Sequence, residues 1–172
     1  MIPISSAVSG ELVWSKIPHK RGYELKRKGE IIGSLQRMSF WSSEVQAESD
    51  HGSWRFRRTG FFRTGKEIVE AATNIQVATL KPKWEGGGTL VFSDGQTFRI
   101  TCKGFWRPVW TVFADNGRPV LSIHSRDKTV ELPNEIHLSE DRLILLVIFA
   151  WHIMQQASED AASAAAVVAA TT

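Results

Sequence analysis

Residues 143–154 read Leu-Ile-Leu-Leu-Val-Ile-Phe-Ala-Trp-His-Ile-Met, a run that has no polar face when it is wound as a helix. A helix without a polar face must be surrounded either by lipid or by protein. Crossing a bilayer needs about 20 apolar residues, and this run is shorter and contains a histidine. The sequence therefore predicts a helix that is buried within the protein.

The residues just before the run have the features of a helix start. Ser139 is a suitable N-cap, and Glu140 and Asp141 fall in the first turn, where the helix dipole favours acidic side chains. Leu138 is placed to pack against Leu143 as a hydrophobic staple. These features predict that the helix begins at about residue 139.

The chain before this helix alternates between apolar and polar residues and is interrupted by glycine-containing turns. Lys28-Gly29, Asp94-Gly95 and Asn116-Gly117 each separate two alternating segments, which is typical of antiparallel hairpins. About twelve strands are predicted. They are Leu12–Ile17, Tyr23–Lys26, Ile31–Leu35, Glu44–Ser49, Ser53–Arg58, Glu67–Ala71, Ile75–Leu80, Thr89–Phe92, Thr97–Ile100, Trp110–Phe113, Val120–Ile123 and Thr129–Leu132.

The fold class predicted is mainly β, a closed antiparallel β-barrel of about twelve strands around a central, buried, hydrophobic C-terminal helix. Within Trp54–Arg57 the two rings should face the core and the two guanidinium groups the solvent, because strand side chains alternate. We expect a single domain over residues 1–156. Residues 157–172 are rich in Ala, Ser and Thr, and we expect this tail to be a frayed helix or disordered.

The net charge of +3 is unevenly distributed along the chain. Residues 1–66 carry twelve Lys and Arg against six Asp and Glu, whereas residues 67–172 carry nine against twelve. A basic surface attracts acidic partners such as anionic lipid or nucleic acid. The alternative interpretation is a solvated barrel exterior whose charges bind nothing.

No pattern of catalytic residues or metal ligands stands out. The five histidines lack metal-binding spacing, and one cysteine, Cys102, cannot complete a zinc site. His152 should be a buried imidazole, and Cys102 a small hydrophobic residue of a strand. The glycine-rich segment 84–89 lacks the Gly-Lys-Ser/Thr ending of a phosphate-binding loop. We therefore expect a protein that is not an enzyme and that needs no metal or cofactor.

Two basic segments are candidates for a binding surface. Arginine next to aromatic residues can hold phosphates and stack on bases, but strand alternation already explains most of these rings as core. Nucleic acid is therefore a disfavoured partner. Phe61 and Phe62 lie outside the alternation, as a loop that either touches a membrane or plugs the barrel. The candidate lipid-binding residues are Lys26, Arg27, Lys28, Arg55, Arg57, Arg58 and Arg63.

The order of these elements resembles the tubby C-terminal-like superfamily, and within it the LURP-one-related group, which has the phospholipid scramblases as relatives. The resemblance covers about residues 10–156. The segments on which the resemblance rests are Tyr23–Leu25 with Gly29–Gly33, Trp54–Phe56, Gly88–Phe98 and the Leu143–Met154 helix. It implies a closed barrel threaded by its own last helix. Tubby domains bind phosphoinositide through exterior Lys and Arg, although no residue here aligns with that site.

The sequence contains neither the proline-rich, cysteine-containing region nor the acidic calcium segment of the scramblases, so the resemblance does not extend to those activities. The function expected first is a non-enzymatic binding module of the tubby-like, LURP-one-related type that binds anionic phospholipid headgroups through a basic outer face. The alternative is a structural or protein-interaction barrel without a lipid ligand. A lone cysteine and the lack of a visible secretory signal favour a cytoplasmic location, peripheral at the membrane if lipid is bound.

Overall fold

The computed structural model describes residues 3–39, 41–60 and 65–171. Twelve antiparallel strands close into a barrel in which each strand pairs with the next and β1 pairs with β12. The strands are β1 Leu12–Lys16, β2 Gly22–Arg27, β3 Glu30–Arg37, β4 Val45–Ser49, β5 Gly52–Thr59, β6 Gly65–Glu70, β7 Gln76–Pro82, β8 Gly88–Phe92, β9 Thr97–Lys103, β10 Val109–Ala114, β11 Pro119–His124 and β12 Thr129–Glu131. Every strand predicted from the alternation is confirmed.

The strands have one face inside and one face outside, as their alternating sequences predict. Trp54 and Phe56 are buried in the barrel, while Arg55 and Arg57 lie on its outer wall. Fully burying a large apolar side chain contributes about 1.5–3 kcal/mol. The inward faces of all twelve strands therefore need an apolar partner inside the barrel.

That partner is the single α-helix of the described residues, α1, which runs from Glu140 to Ala170. No residue from Leu143 to Met154 is more than 5% exposed, so the predicted central buried helix is confirmed. Aromatic contacts fix the helix to the wall: Phe149 packs edge-on against Phe56, with ring centroids 5.0 Å apart.

The start of α1 is held by Glu140 rather than by the predicted cap. Ser139 occupies the N-cap position, but its hydroxyl makes no capping hydrogen bond. The Glu140 carboxylate accepts hydrogen bonds from the backbone N–H of Ile4 at 2.6 Å and from the backbone and hydroxyl of Ser5. The N-terminal 3₁₀ turn Ile4–Ser6 is thereby attached to the helix start.

The helix passes through the barrel from one end to the other. At its start, Arg142 donates hydrogen bonds to Asp94 and Gln96 in the β8–β9 turn. Further along, Gln155 accepts a hydrogen bond of 2.9 Å from the Tyr23 hydroxyl at the start of β2. We call these two ends the helix-entry end and the helix-exit end.

Successive loops alternate between the two ends because neighbouring strands are antiparallel. The helix-exit end carries the loops β1–β2, β3–β4, β5–β6, β7–β8, β9–β10 and β11–β12. Beyond the barrel, residues 158–171 are exposed, and all but the last of them are helical. The tail is therefore a helix that projects from the helix-exit end. Within the described residues, no helix combines the length and hydrophobicity needed to cross a membrane.

Candidate functional site

Three of the predicted lipid-binding residues lie at the helix-entry end, where acidic partners hold them. Arg27 is only 7% exposed, since β2 continues through it and its side chain falls on the inward face with Leu25. Its guanidinium pairs with Glu11 at 3.2 Å and donates to the Pro3 carbonyl. Lys28 pairs with the same Glu11 carboxylate at 3.0 Å.

The third of these residues, Lys26, is partly exposed and pairs with Glu24 at 3.3 Å. The pKa of the Glu11 carboxyl is held below its usual range, chiefly by the hydrogen bond from Lys28. A carboxylate that stays ionised keeps its cations occupied. This part of the predicted surface therefore stabilises the barrel end, and each of its cations already has an acidic partner.

Arg55 and Arg57 lie on the outer wall as predicted, but they are also engaged. Arg57 pairs with Glu44 at 2.9 Å and donates to the Asn74 side-chain oxygen at 2.6 Å. Arg55 donates to the same oxygen at 2.8 Å and lies 3.6 Å from Glu44. Such partners fix both guanidinium groups against the wall.

Arg58 is the one described member of the predicted set that reaches the helix-exit end. It is exposed, and it lies opposite Lys66 in the β5–β6 register. Arg63, together with Phe61 and Phe62, lies outside the described residues. The described residues of the predicted set are therefore spread over two ends and one wall rather than gathered into one surface.

The helix-exit end instead collects basic residues from many parts of the sequence. They are Lys16, Lys20, Arg21, Arg37, Arg58, Lys66, Lys81, Lys83, Lys103, Arg107, Arg126 and Lys128. The acidic residues of the same end are Glu44, Glu85, Asp127, Glu159 and Asp160. Of these, Glu44 is taken by Arg55 and Arg57, and Glu159 pairs with Arg37 at 3.1 Å.

Several of these cations are free to meet an external partner. The following are exposed and form no ion pair with any other residue that the structure describes: Lys20, Lys81, Lys83, Lys103, Arg107, Arg126 and Lys128. A set of exposed, unneutralised cations on one end creates a positive potential that extends into solvent.

The helix-entry end is acidic on balance, because its acidic residues outnumber its described basic residues, which are Lys26, Arg27, Lys28, Arg118 and Arg142. Its acidic residues are Glu11, Glu30, Asp50, Glu70, Asp94, Asp115, Glu131, Glu135, Glu140 and Asp141. The pKa of Asp94 is lowered, first by the hydrogen bond from Arg142. The barrel therefore has a basic end and an acidic end, and its charge is separated along the helix axis.

The mouth around the emerging helix is basic as well as partly desolvated. A pocket of about 260 Å³ opens there, with Lys16, Tyr23 and Arg37 in its walls. Burial, together with nearby Arg58, lowers the pKa of Lys66. The pKa of His152 beneath it falls to about 3, mainly through burial and then through the cations around it. His152 is therefore a neutral core residue at neutral pH.

Exposed aromatic side chains lie on the same end and were missed by the sequence reasoning. Trp41 is 91% exposed, Trp84 103%, Phe105 86% and Trp106 89%. They lie in the β3–β4, β7–β8 and β9–β10 loops, all at the helix-exit end. Their signal in the sequence is their position outside the alternating strands, where barrel packing does not require an aromatic residue.

The described residues offer little for covalent or metal chemistry. They contain no group of three or more His, Cys, Asp or Glu side chains that could hold a metal ion. Burial raises the pKa of the Cys102 thiol, which keeps it in the poorly nucleophilic protonated form.

Comparisons with family models, with curated proteins and with solved structures find no match to this chain.

Proposed function

We propose that this protein is a non-enzymatic binding module that attaches to anionic phospholipid surfaces, and that it is a tubby C-terminal-like barrel of the LURP-one-related type. The order of twelve strands and one threaded helix supports the proposed relationship. The observation that carries the proposed function is the separation of charge between the two barrel ends. The surface that we propose is the helix-exit end, in place of the outer face around Arg55 and Arg57.

Electrostatics makes this end a suitable surface for anionic lipid. Each Lys or Arg close to an anionic membrane contributes about 1 kcal/mol, and the attraction fades within a Debye length of about 10 Å at 0.1 M salt. Exposed cations on a single end can approach a flat surface together, while the acidic end points away from it. Binding should therefore be oriented and should weaken as salt is added.

A protein-interaction barrel is the second candidate, because exposed Trp and Phe side chains are also enriched at protein interfaces. The two candidates differ in what they need. A lipid surface needs only negative charge and an apolar layer, whereas a protein partner needs a specific complementary shape. Purified vesicles contain no protein partner, so they separate the two.

The test is sedimentation with vesicles of phosphatidylcholine alone and of phosphatidylcholine mixed with phosphatidylserine, at low and high salt. The exit-end variant carries Lys81→Glu, Lys83→Glu and Lys103→Glu. A matched control makes the same change of net charge at exposed positions of the helix-entry end, with Arg118→Glu, Asn116→Asp, Asn134→Asp, Ser93→Asp and His51→Glu.

We expect the wild type to sediment with the anionic vesicles only, and less so at high salt. The exit-end variant should lose about 3 kcal/mol or more of binding free energy, which is over 100-fold in affinity, while the control should bind nearly as well as the wild type. A wild type that ignores anionic vesicles would contradict the lipid proposal and favour the interaction barrel. Equal losses in both variants would contradict the choice of end.

A further inference from the structure

We infer that the exposed aromatic residues of the helix-exit end insert into the interfacial layer of an anionic bilayer, so that the barrel docks with this end on the membrane. The inference rests on the proposed function and adds to it the depth and orientation of binding. The inserting residues are Trp41, Trp84, Phe105 and Trp106, which we call the aromatic tips.

The aromatic tips belong to loops that lie near one another around the rim. Trp41 lies in the β3–β4 loop, Trp84 in the β7–β8 loop, and Phe105 and Trp106 in the β9–β10 loop. In the closed barrel these loops follow one another, with only the β5–β6 loop between the first two. Phe105 and Trp106 pack edge-on against each other, at 5.3 Å between centroids, and both remain exposed. The aromatic tips therefore form an arc along part of the rim of the helix-exit end.

Two glycines fix the backbone next to Trp84 and Phe105. Gly87 has a φ of +71°, and a Cβ there would lie 2.1 Å from the carbonyl oxygen of Ile100. The loop after Trp84 is therefore pressed against β9 at a position where only glycine fits. Gly104, with a φ of +90°, makes a similarly tight turn just before Phe105.

The charges next to the aromatic tips favour a bilayer as the occupant. Lys81 and Lys83 precede Trp84, and Lys103 and Arg107 flank Phe105 and Trp106. All four cations are exposed. Rings surrounded by cations match the layering of an anionic membrane, where phosphate groups lie just above the apolar interior and where Trp is enriched.

The projecting helix is compatible with this orientation. Glu159 pairs with Arg37 at the rim, and Asp160 lies near Lys66, so both acidic residues stay at the level of the headgroups. From Ala161 to Thr171 the chain has no charged side chain. Residues 161–170 form about 15 Å of helix without a charged side chain, so they lack the residues that would oppose contact with the interfacial layer.

The test uses the fluorescence of the protein's own tryptophans, with vesicles whose phosphatidylcholine carries bromine atoms on its acyl chains as quenchers. Trp41, Trp84 and Trp106 report on insertion. The other four, Trp14, Trp54, Trp110 and Trp151, are at most 7% exposed and serve as an internal reference inside the barrel. Vesicles are prepared with and without phosphatidylserine.

Two variants are compared with the wild type. The tip variant carries Trp84→Ala, Phe105→Ala and Trp106→Ala. The matched control carries Ile31→Ala and Ile75→Ala, which remove exposed apolar side chains from the helix-entry end. All five side chains are exposed, so unchanged melting temperatures are expected and should be verified first.

We expect quenching of the wild type only in brominated vesicles that contain phosphatidylserine. The tip variant lacks two of the reporting tryptophans, so its affinity is measured by vesicle sedimentation, and it should bind at least tenfold more weakly than the wild type. The control should match the wild type in both binding and quenching. If the wild type sediments with anionic vesicles but is not quenched, or if the tip variant binds as well as the wild type, the insertion is contradicted while the proposed function stands. If the wild type does not bind anionic vesicles, both are contradicted.

Discussion

The indole ring of Trp151 stacks on that of Trp14, with the centroids 4.8 Å apart and the planes inclined by 12°. Trp14 lies on β1, the first strand, and Trp151 lies on the last element of the described fold. Both rings are at most 1% exposed. The stack therefore joins the helix to the strand at which the barrel closes, and the two should unfold together.

The substitutions Trp14→Ala and Trp151→Ala should each lower the free energy of unfolding by about 3–5 kcal/mol, which is the usual loss for a buried Trp. The double variant should be more stable than the sum of the two losses predicts, because the single variants both remove the same stack. A coupling of about 0.5–1.5 kcal/mol is expected from a double-mutant cycle measured by urea unfolding. A coupling near zero would show that the two rings contribute independently.

Replacing Phe149 with Asp should prevent folding. Phe149 is fully buried, and an unpaired charge there costs several kcal/mol against a total stability of about 5–15 kcal/mol. The control is Val167→Asp, because Val167 lies on the same helix but is 64% exposed. Near-UV circular dichroism should be lost for the first variant and kept for the second. A native-like near-UV spectrum of the Phe149 variant would mean that the helix is not enclosed by the strands.

Acid should destabilise the protein through His152 before the carboxylates titrate. Its pKa in the folded protein is about 3, whereas an unfolded histidine titrates at about 6.5. Below pH 6.5 the unfolded chain therefore binds one more proton than the folded protein does. The free energy of unfolding then falls by about 1.4 kcal/mol for each unit by which the pH is lowered. The stability that depends on neutral His152 is complete above pH 6.5 and is lost as the pH falls toward 3.

This slope can be isolated with His152→Phe, which keeps an aromatic ring beside Phe56 and Phe149. The free energy of unfolding of the wild type and of the variant is measured in urea between about pH 4.5 and 6.5. Its slope against pH should differ between the two by about one proton. The same slope in both proteins would mean that His152 is protonated, or accessible to protons, in the fold.

The architecture could be predicted because its signals are local. Alternation within Trp54–Arg57 is visible in four residues, and the lack of a polar face in residues 143–154 needs no knowledge of any other segment. The twelve predicted strands and the buried helix are therefore confirmed. The contacts of Glu140 with Ile4 and Ser5 could not be predicted, because these residues lie 136 and 135 positions away in the sequence.

The candidate surface could not be predicted in the same way, because it depends on which end of the barrel each loop occupies. Lys20, Lys83 and Arg126 are far apart in the sequence and share an end only after the strands have paired. Arg27 looked like a turn residue, yet β2 extends through it and turns it inward. The excess of basic residues in 1–66 over 67–172 therefore does not correspond to the excess of basic residues at the helix-exit end of the folded barrel.

Deleting residues 161–172 should leave the melting temperature unchanged. Residues 161–171 are exposed and carry small side chains, so little apolar area is lost with them. A deletion that begins at Ile153 is the contrasting control, because it also removes Ile153 and Met154 from the core and should lower the melting temperature markedly. A large drop for the shorter deletion, measured by calorimetry, would show that the tail packs against another surface.

The most direct measurement places one environment-sensitive fluorophore at either end of the barrel, in a Cys102→Ser background. Ser43→Cys puts the label in the β3–β4 loop at the helix-exit end, and Ser93→Cys puts it in the β8–β9 turn at the helix-entry end; both positions are exposed. With vesicles containing phosphatidylserine, the emission of the Ser43 label should shift to the blue and be quenched by brominated lipid, while the Ser93 label should not change. Changes at Ser93 alone, or equal changes at both positions, would contradict docking through the helix-exit end.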